Sequence, residues 1–199
     1  MKINKTLIIV PIIMILVVSL SGCITDSMFK SGETYAQNGI TFQYPKDWHV
    51  VNSVAEGSVA AVASKNNPKI STVIQQVPTE MGTDIQTACS NNNKNLVLSP
   101  NYINLQEVQS TVNGQTVILH RYIVNEDDGS QKEHVATWIQ MSNGQLYVLL
   151  FNTPLEEYDS QRYAYDLIVG SFALEDQSNS NSDSFLDAVF DRINMFFST

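Results

Sequence analysis

Few side chains in these 199 residues could do acid–base, nucleophilic or metal chemistry. There are three histidines, His49, His120 and His134, and two cysteines, Cys23 and Cys89. That is too few, and too scattered, for a disulfide framework or a zinc site needing four Cys or His ligands. The chain has neither the His-Glu-x-x-His pair that holds zinc on one helix face nor a Gly-x-Ser-x-Gly turn to present a serine nucleophile. His120 and His134 flank one hairpin. With a two-residue Asp128-Gly129 turn His120 faces Thr137 and His134 faces Ile123, on opposite sides of the sheet. The two would meet only across an odd-numbered loop centred on Asp127. Glu126, Asp127 and Asp128 at that turn offer oxygen ligands for weak Ca²⁺ binding, but Val124 and Val135 stand where an EF-hand needs its first and twelfth ligands. A solvated tip that discourages edge pairing is the plainer reading. Cys89 shares a helical stripe with Ile85, Ala88 and Leu96, which argues for packing rather than reactivity.

Charge and the chain ends say more about place than about reaction. Twenty acidic residues against 11 basic ones, net −9, argue against nucleic-acid binding. Lys2 and Lys5 precede the uncharged run Leu7 to Leu20, the charged and apolar regions of an export signal. Fourteen helical residues would span only about 21 Å of a hydrocarbon core roughly 30 Å thick. Leu20-Ser21-Gly22-Cys23 resembles the lipobox of prokaryotic lipoproteins. On that likeness residues 1–22 are a signal peptide and Cys23 carries a lipid through a thioether, with two acyl chains enough for stable anchoring. The mature chain then keeps 20 acids against nine bases, an excess of eleven, facing outward from the cell membrane. Residues 23–36 read as a tether reaching roughly 20 Å.

The middle of the chain must position whatever function there is. Ile40 to Tyr44 alternates apolar and polar, Pro45 to Trp48 turns the chain, and Val59–Ala63 and Ser71–Val77 are short β-rich runs. Thr83-Asp84-Ile85-Gln86 has the form of a capping box, so a helix starts at Thr83 and ends in or just after the Asn91 to Asn95 cluster. A β-meander follows over about 103–112, 116–125, 132–141 and 145–152. Its turns are Asn113-Gly114, Asp128-Gly129 and Asn143-Gly144, strong hairpin signals. If the last is a two-residue turn, Trp138 opposes Leu149 and Ala136 opposes Phe151, while Ile139 opposes Val148 and Thr137 opposes Leu150. Both faces are then apolar, as in a sheet covered on both sides. Thr153-Pro154-Leu155-Glu156 starts a second helix, with Tyr158, Arg162, Tyr165 and Val169 on one stripe, some tyrosines half exposed, and Gly170 closing the last turn. The domain runs over 37–174, long enough to stand alone.

The opening Asn38-Gly39-Ile40-Thr41-Phe42-Gln43-Tyr44-Pro45-Lys46-Asp47-Trp48, followed by a capped helix, a meander and a helix ending in Gly170-Ser171-Phe172, resembles the PsbP-like family. The resemblance covers about residues 37–174, and PsbP-related lipoproteins of prokaryotes, archaea among them, look like the nearest kind. It implies an α+β fold in which an antiparallel sheet carries helices on both faces, an α-β-α sandwich. It also implies a core role for Trp48, relatives that mostly bind other proteins, and calcium binding as a family property. No cofactor is implied.

After a polar linker, 175–184, the segment 185–199 regains helical period. Leu186, Val189, Phe190, Ile193 and Phe197 share one face and Asp187, Asp191 and Asn194 the other. A helix this short needs an apolar dock, whether its own domain, the membrane interface or a partner protein. The whole reads as a non-catalytic, lipid-anchored protein outside the cytoplasm, an accessory or assembly factor acting on an unknown protein partner. The alternative is a solute- or cation-binding surface lipoprotein.

Overall fold

The computed structural model describes residues 32–112 and 115–175. The signal segment and Cys23, the first part of the tether, the Asn113-Gly114 turn, the linker and the C-terminal segment with Leu186, Val189, Phe190, Ile193 and Phe197 lie outside the described residues.

The domain begins earlier than residue 37. Glu33–Gln37 form a strand, β1, which pairs antiparallel with β2, Ile40–Tyr44. Asn38 (φ 57°) and Gly39 (φ 76°) are both left-handed, as a two-residue turn between strands requires. Tyr35 stacks on Phe42 with ring centroids 4.9 Å apart, and the Tyr44 hydroxyl donates to Glu33 Oε2 at 3.1 Å. Residues 33–36, expected in the tether, are held by these contacts.

The remaining strands are β3 (Trp48–Val50), β4 (Ser58–Ser64), β5 (Ser71–Gln76), β6 (Tyr102–Val112), β7 (Gln115–Asn125), β8 (Gln131–Gln140), β9 (Leu146–Pro154) and β10 (Ala173–Leu174). They form two antiparallel sheets. One is β1-β2-β10, and the other has the order β3-β4-β5-β9-β8-β7-β6. Helix α1 covers Ile85–Leu96 and helix α2 covers Tyr158–Ser171.

Both hairpins after β7 are one residue longer than a two-residue turn allows. Glu126 N donates to Ser130 O and Gly129 N to Glu126 O, so the loop is Asp127-Asp128-Gly129. Met141 and Gln145 close Ser142-Asn143-Gly144 in the same way. In each, Gly (φ 82° and 83°) is the left-handed third residue of the loop. The Asp128 and Asn143 side-chain oxygens each accept from the backbone N–H two residues on. Asp-Gly and Asn-Gly suit either loop length, and the longer one shifts every partner by one. Trp138 lies opposite Val148, Thr137 opposite Leu149, Ala136 opposite Leu150, Val135 opposite Phe151 and Ile139 opposite Tyr147, correcting the expected register.

Alternate residues of β7 fall in two separate apolar clusters. Val117 and Leu119 pack with Tyr158, Ala164, Tyr165 and Ile168 of α2, whereas Ile118 and Tyr122 pack with Ile85, Ala88 and Cys89 of α1. The fully buried Trp48 lies in the first cluster, stacked on Phe151.

Helix α1 ends at Leu96, just after the asparagine cluster as expected, whereas its start and both ends of α2 depart from expectation for local reasons. Asp84, not Thr83, caps α1, taking Thr87 N on Oδ1 and Thr87 Oγ1 on Oδ2, both at 2.8 Å. A carboxylate there also meets the positive end of the helix dipole. The helix continues through its poor formers because their side chains are engaged: Asn91 Nδ2 donates to Met81 O and Asn93 Nδ2 to Glu107. Pro154 ends β9 instead of starting a helix. One 3₁₀ turn, Leu155–Glu157, precedes α2, and Gly170 lies inside it. Tyr158 and Tyr165 are buried, not half exposed.

Candidate functional site

A bulge in β6 assembles the main polar cluster. The β6–β7 register shifts between Asn104 and Gln106, leaving Leu105 without an opposite partner. Tyr102 and Glu107, five residues apart, would otherwise point to opposite faces; the extra residue brings both to the α1 side. There the Tyr102 hydroxyl lies 2.8 Å from His120 Nε2. Asn93 of α1 donates to Glu107 Oε2 at 2.6 Å and reaches Cys89 Sγ at 3.6 Å. The Tyr122 ring lies 4.9 Å from that of His120 and 5.0 Å from that of His134, nearly parallel to the latter. His134 Nδ1 is 2.6 Å from Asn152 Oδ1.

His120 is opposite Ala136 and His134 opposite Tyr122, so the two histidines share a face after all. The loop is odd-numbered but centred on Asp128, one residue beyond the Asp127 centre that would pair them. Tyr122 fills the space between, and the two are neighbours in a stack, not a ligand pair. Among the described residues no three His, Cys, Asp or Glu side chains are grouped to hold a metal ion. Burial lowers both imidazole pKa values below the ordinary histidine range; Glu107 partly offsets this at His120 and Asn152 at His134. Burial pushes the Tyr122 hydroxyl up to about 12, and burial with the nearby Glu107 does the same to the Cys89 thiol. A thiol so raised carries almost no thiolate at neutral pH, so Cys89 is a packing residue. The stack can hold hydrogen bonds in place, but it presents no activated nucleophile.

The other face holds a charged cluster that alternation alone does not reveal. Arg121 Nε binds Glu133 Oε1, and the guanidinium carbon sits 4.2 Å from the centroid of the Tyr158 ring. Glu133 is fully buried, and desolvation raises its pKa despite Arg121. On α2, Arg162 Nε lies 3.6 Å from Asp166 Oδ2, one helical turn on. Burial lifts Asp166 to about 6, against the pull of Arg162. Of these groups only Arg162 stands out in the sequence, on the helical stripe of α2. For Arg121 and Glu133 the available signal was a lone arginine at a same-face position of an otherwise apolar strand, with a glutamate across the hairpin.

The acidic tip is made of separately engaged groups. Glu126 pairs with Lys132 at 3.0 Å, Asp128 accepts from Ser130 N at 2.9 Å, and Asp127 is exposed. His49 is exposed on the three-residue strand β3.

An open apolar surface lies at the β6 edge of the large sheet. β6 is the outer strand of its sheet, eleven residues long, and its outward edge pairs with no strand among the described residues. Ile103 and Leu105 are each 43% exposed, and in the preceding turn Val97 is 61% and Leu98 80% exposed.

No curated protein matches this chain. Among solved structures it is similar to cyanobacterial PsbP (CyanoP) from Synechocystis sp. PCC 6803, with 16% identity, TM-score 0.55, and coverage of 78% of this chain and 99% of that one. The Saccharomyces cerevisiae Ran-binding protein Mog1p matches with 15% identity, TM-score 0.54, and coverage of 74% and 97%. LpqN of Mycobacterium tuberculosis, described as involved in cell envelope biogenesis, matches with 14% identity, TM-score 0.50, and coverage of 72% and 84%. At these identities the likeness is one of fold. A family model described as PsbP matches residues 31–174, and on that match the chain belongs to the PsbP family.

Proposed function

We propose that this chain is a non-catalytic, lipid-anchored member of the PsbP family that works outside the cytoplasm as an accessory or assembly factor through protein contacts. In this reading Cys23 bears the lipid, the helices cover both faces of the large sheet as an α-β-α sandwich, and the C-terminal segment adds a second contact. The lipobox-like Leu20 to Cys23 supports the anchor. Mog1p, named for binding Ran, and LpqN, named for envelope biogenesis, support a role in contact with other proteins.

The observation that carries the reading is the β6 edge. Natural sheets protect long edges with charge, proline, bulges or short length, because unpaired N–H and C=O groups invite another strand. β6 has its bulge at Leu105, but it is long, has no proline, and turns its one charged side chain, Glu107, toward Asn93. An extended segment of a partner could add to this edge through main-chain hydrogen bonds, with Ile103 and Leu105 giving side-chain contact. Affinity capture from solubilised native membranes is the test. The expected result is one stoichiometric partner that Leu105→Lys loses and Cys23→Ser recovers only from the soluble fraction. Capture unaffected by Leu105→Lys in a folded chain refutes the surface, and no stoichiometric partner at all refutes the function.

A further inference from the structure

Helix α1 packs on β7 and β8 but leaves the neighbouring part of the same sheet face uncovered, and a cleft of about 180 Å³ opens there. Its floor is apolar: Ala136 and Trp138 of β8 with Val148 and Leu150 of β9. Met81 and Pro78 form one wall. The side chains of Tyr122 and Asn92 border it together with Gln75, which lies opposite Val148 on the same face and donates from Nε2 to Glu56 O at 2.6 Å. Tyr122 is only 6% exposed, and it borders the cleft. An apolar floor with a few converging polar groups is the usual composition of a small-molecule site.

Size and charge narrow the occupant. An engineered apolar cavity of about 150 Å³ holds benzene, whereas drug-sized ligands need roughly 300 Å³ or more. The cleft is therefore too small for a nucleotide and large enough for one substituted ring. No Lys, Arg or His lines it, and its single charged neighbour is Glu56. An anion would find no counter-charge and one repulsion. We propose that this cleft binds a small uncharged ring compound bearing one hydrogen-bonding substituent, of which phenol is the simplest probe. The site is independent of the β6 edge and of the protein-contact reading.

The two tryptophans supply the readout, because Trp138 lines the cleft while Trp48 is buried in the other cluster. Phenol titrated into the ¹⁵N-labelled full chain should shift the Trp138 indole resonance saturably and leave that of Trp48 in place, with a dissociation constant of about a millimolar. Benzoate should bind at least about ten-fold more weakly. Ala136→Leu, which fills the floor, should abolish the saturable shift. Should that variant not fold, Asn92→Ala and Tyr122→Phe serve instead, each expected to weaken phenol about three- to ten-fold. A shift that does not saturate, that moves both indoles alike, that benzoate equals, or that survives these substitutions in a folded chain overturns the proposal.

Discussion

Asp166 offers the sharpest test of the electrostatics on the α2 side. The residue is 8% exposed, Arg162 lies 3.6 Å away, and burial wins over the arginine, lifting the pKa from 3.8 to about 6. The folded state therefore binds this proton more tightly than the unfolded chain does. The penalty is absent below the unfolded value near 3.8, grows as pH rises toward 6, and is constant above that. A shift of about two pKa units corresponds to about 3 kcal/mol at full ionisation. Asp166→Asn keeps the shape and removes the titration. The quantity to measure is the difference in unfolding free energy between wild type and variant, from urea transitions followed by tryptophan fluorescence at pH 4 and pH 8. Costs of the substitution that do not depend on pH cancel between the two conditions, and so do the histidines, which titrate in both proteins. The variant should gain about 2 to 3 kcal/mol on wild type between pH 4 and pH 8. A difference that stays constant within about 0.5 kcal/mol would show that Arg162 already compensates the burial of this carboxylate.

Two further outcomes follow from the α1 side. Cys89, with its thiol pushed up to about 12, should react with a thiol reagent at neutral pH only as fast as the domain unfolds, and fully in denaturant; rapid labelling of the native chain would contradict the packing role. Tyr102→Phe, which removes the hydroxyl facing His120 Nε2, should cost about 1 to 2 kcal/mol in urea unfolding at pH 7. Because burial lowers the folded pKa of His120, the stability that its neutral form supplies is present above about 6.5 and is lost as pH falls through the folded value. The cost of the substitution measured at pH 7 should therefore exceed that measured once His120 is protonated.

Elements were easier to read from the chain than the distances between them. Asn143-Gly144 and Asp128-Gly129 marked the right turns, because a left-handed glycine is needed in either kind of hairpin. The same dipeptide ends a two-residue turn or a three-residue loop, so the register, and with it the shared face of His120 and His134, could not be read from it. The bulge at Leu105 was invisible for a similar reason. Ile103-Asn104-Leu105-Gln106 alternates regularly, and only pairing with β7 shows that one residue is extra. Strand β1 had a usable signal in Asn38-Gly39, since a turn of that kind needs a strand on both sides, but Glu33 to Gln37 is exposed except at Tyr35 and so lacks an apolar run. The Arg121–Glu133 and Arg162–Asp166 groups depended on that register and on helix packing, which no local pattern carries.

The small sheet has a mechanical consequence. β1 and β10 both pair antiparallel with β2, so they flank it and run parallel to each other. The chain enters β1 beside Tyr44 and leaves β10 beside Ile40, at opposite ends of the same central strand. A pull on residue 32 against residue 175 thus loads the hydrogen bonds of the sheet in shear, all together, rather than opening them one at a time. The entry point is also tight: a Cβ on Gly32 would stand 2.7 Å from the Tyr44 carbonyl oxygen. A domain whose two ends are gripped in this way resists being drawn open along the line of its own chain.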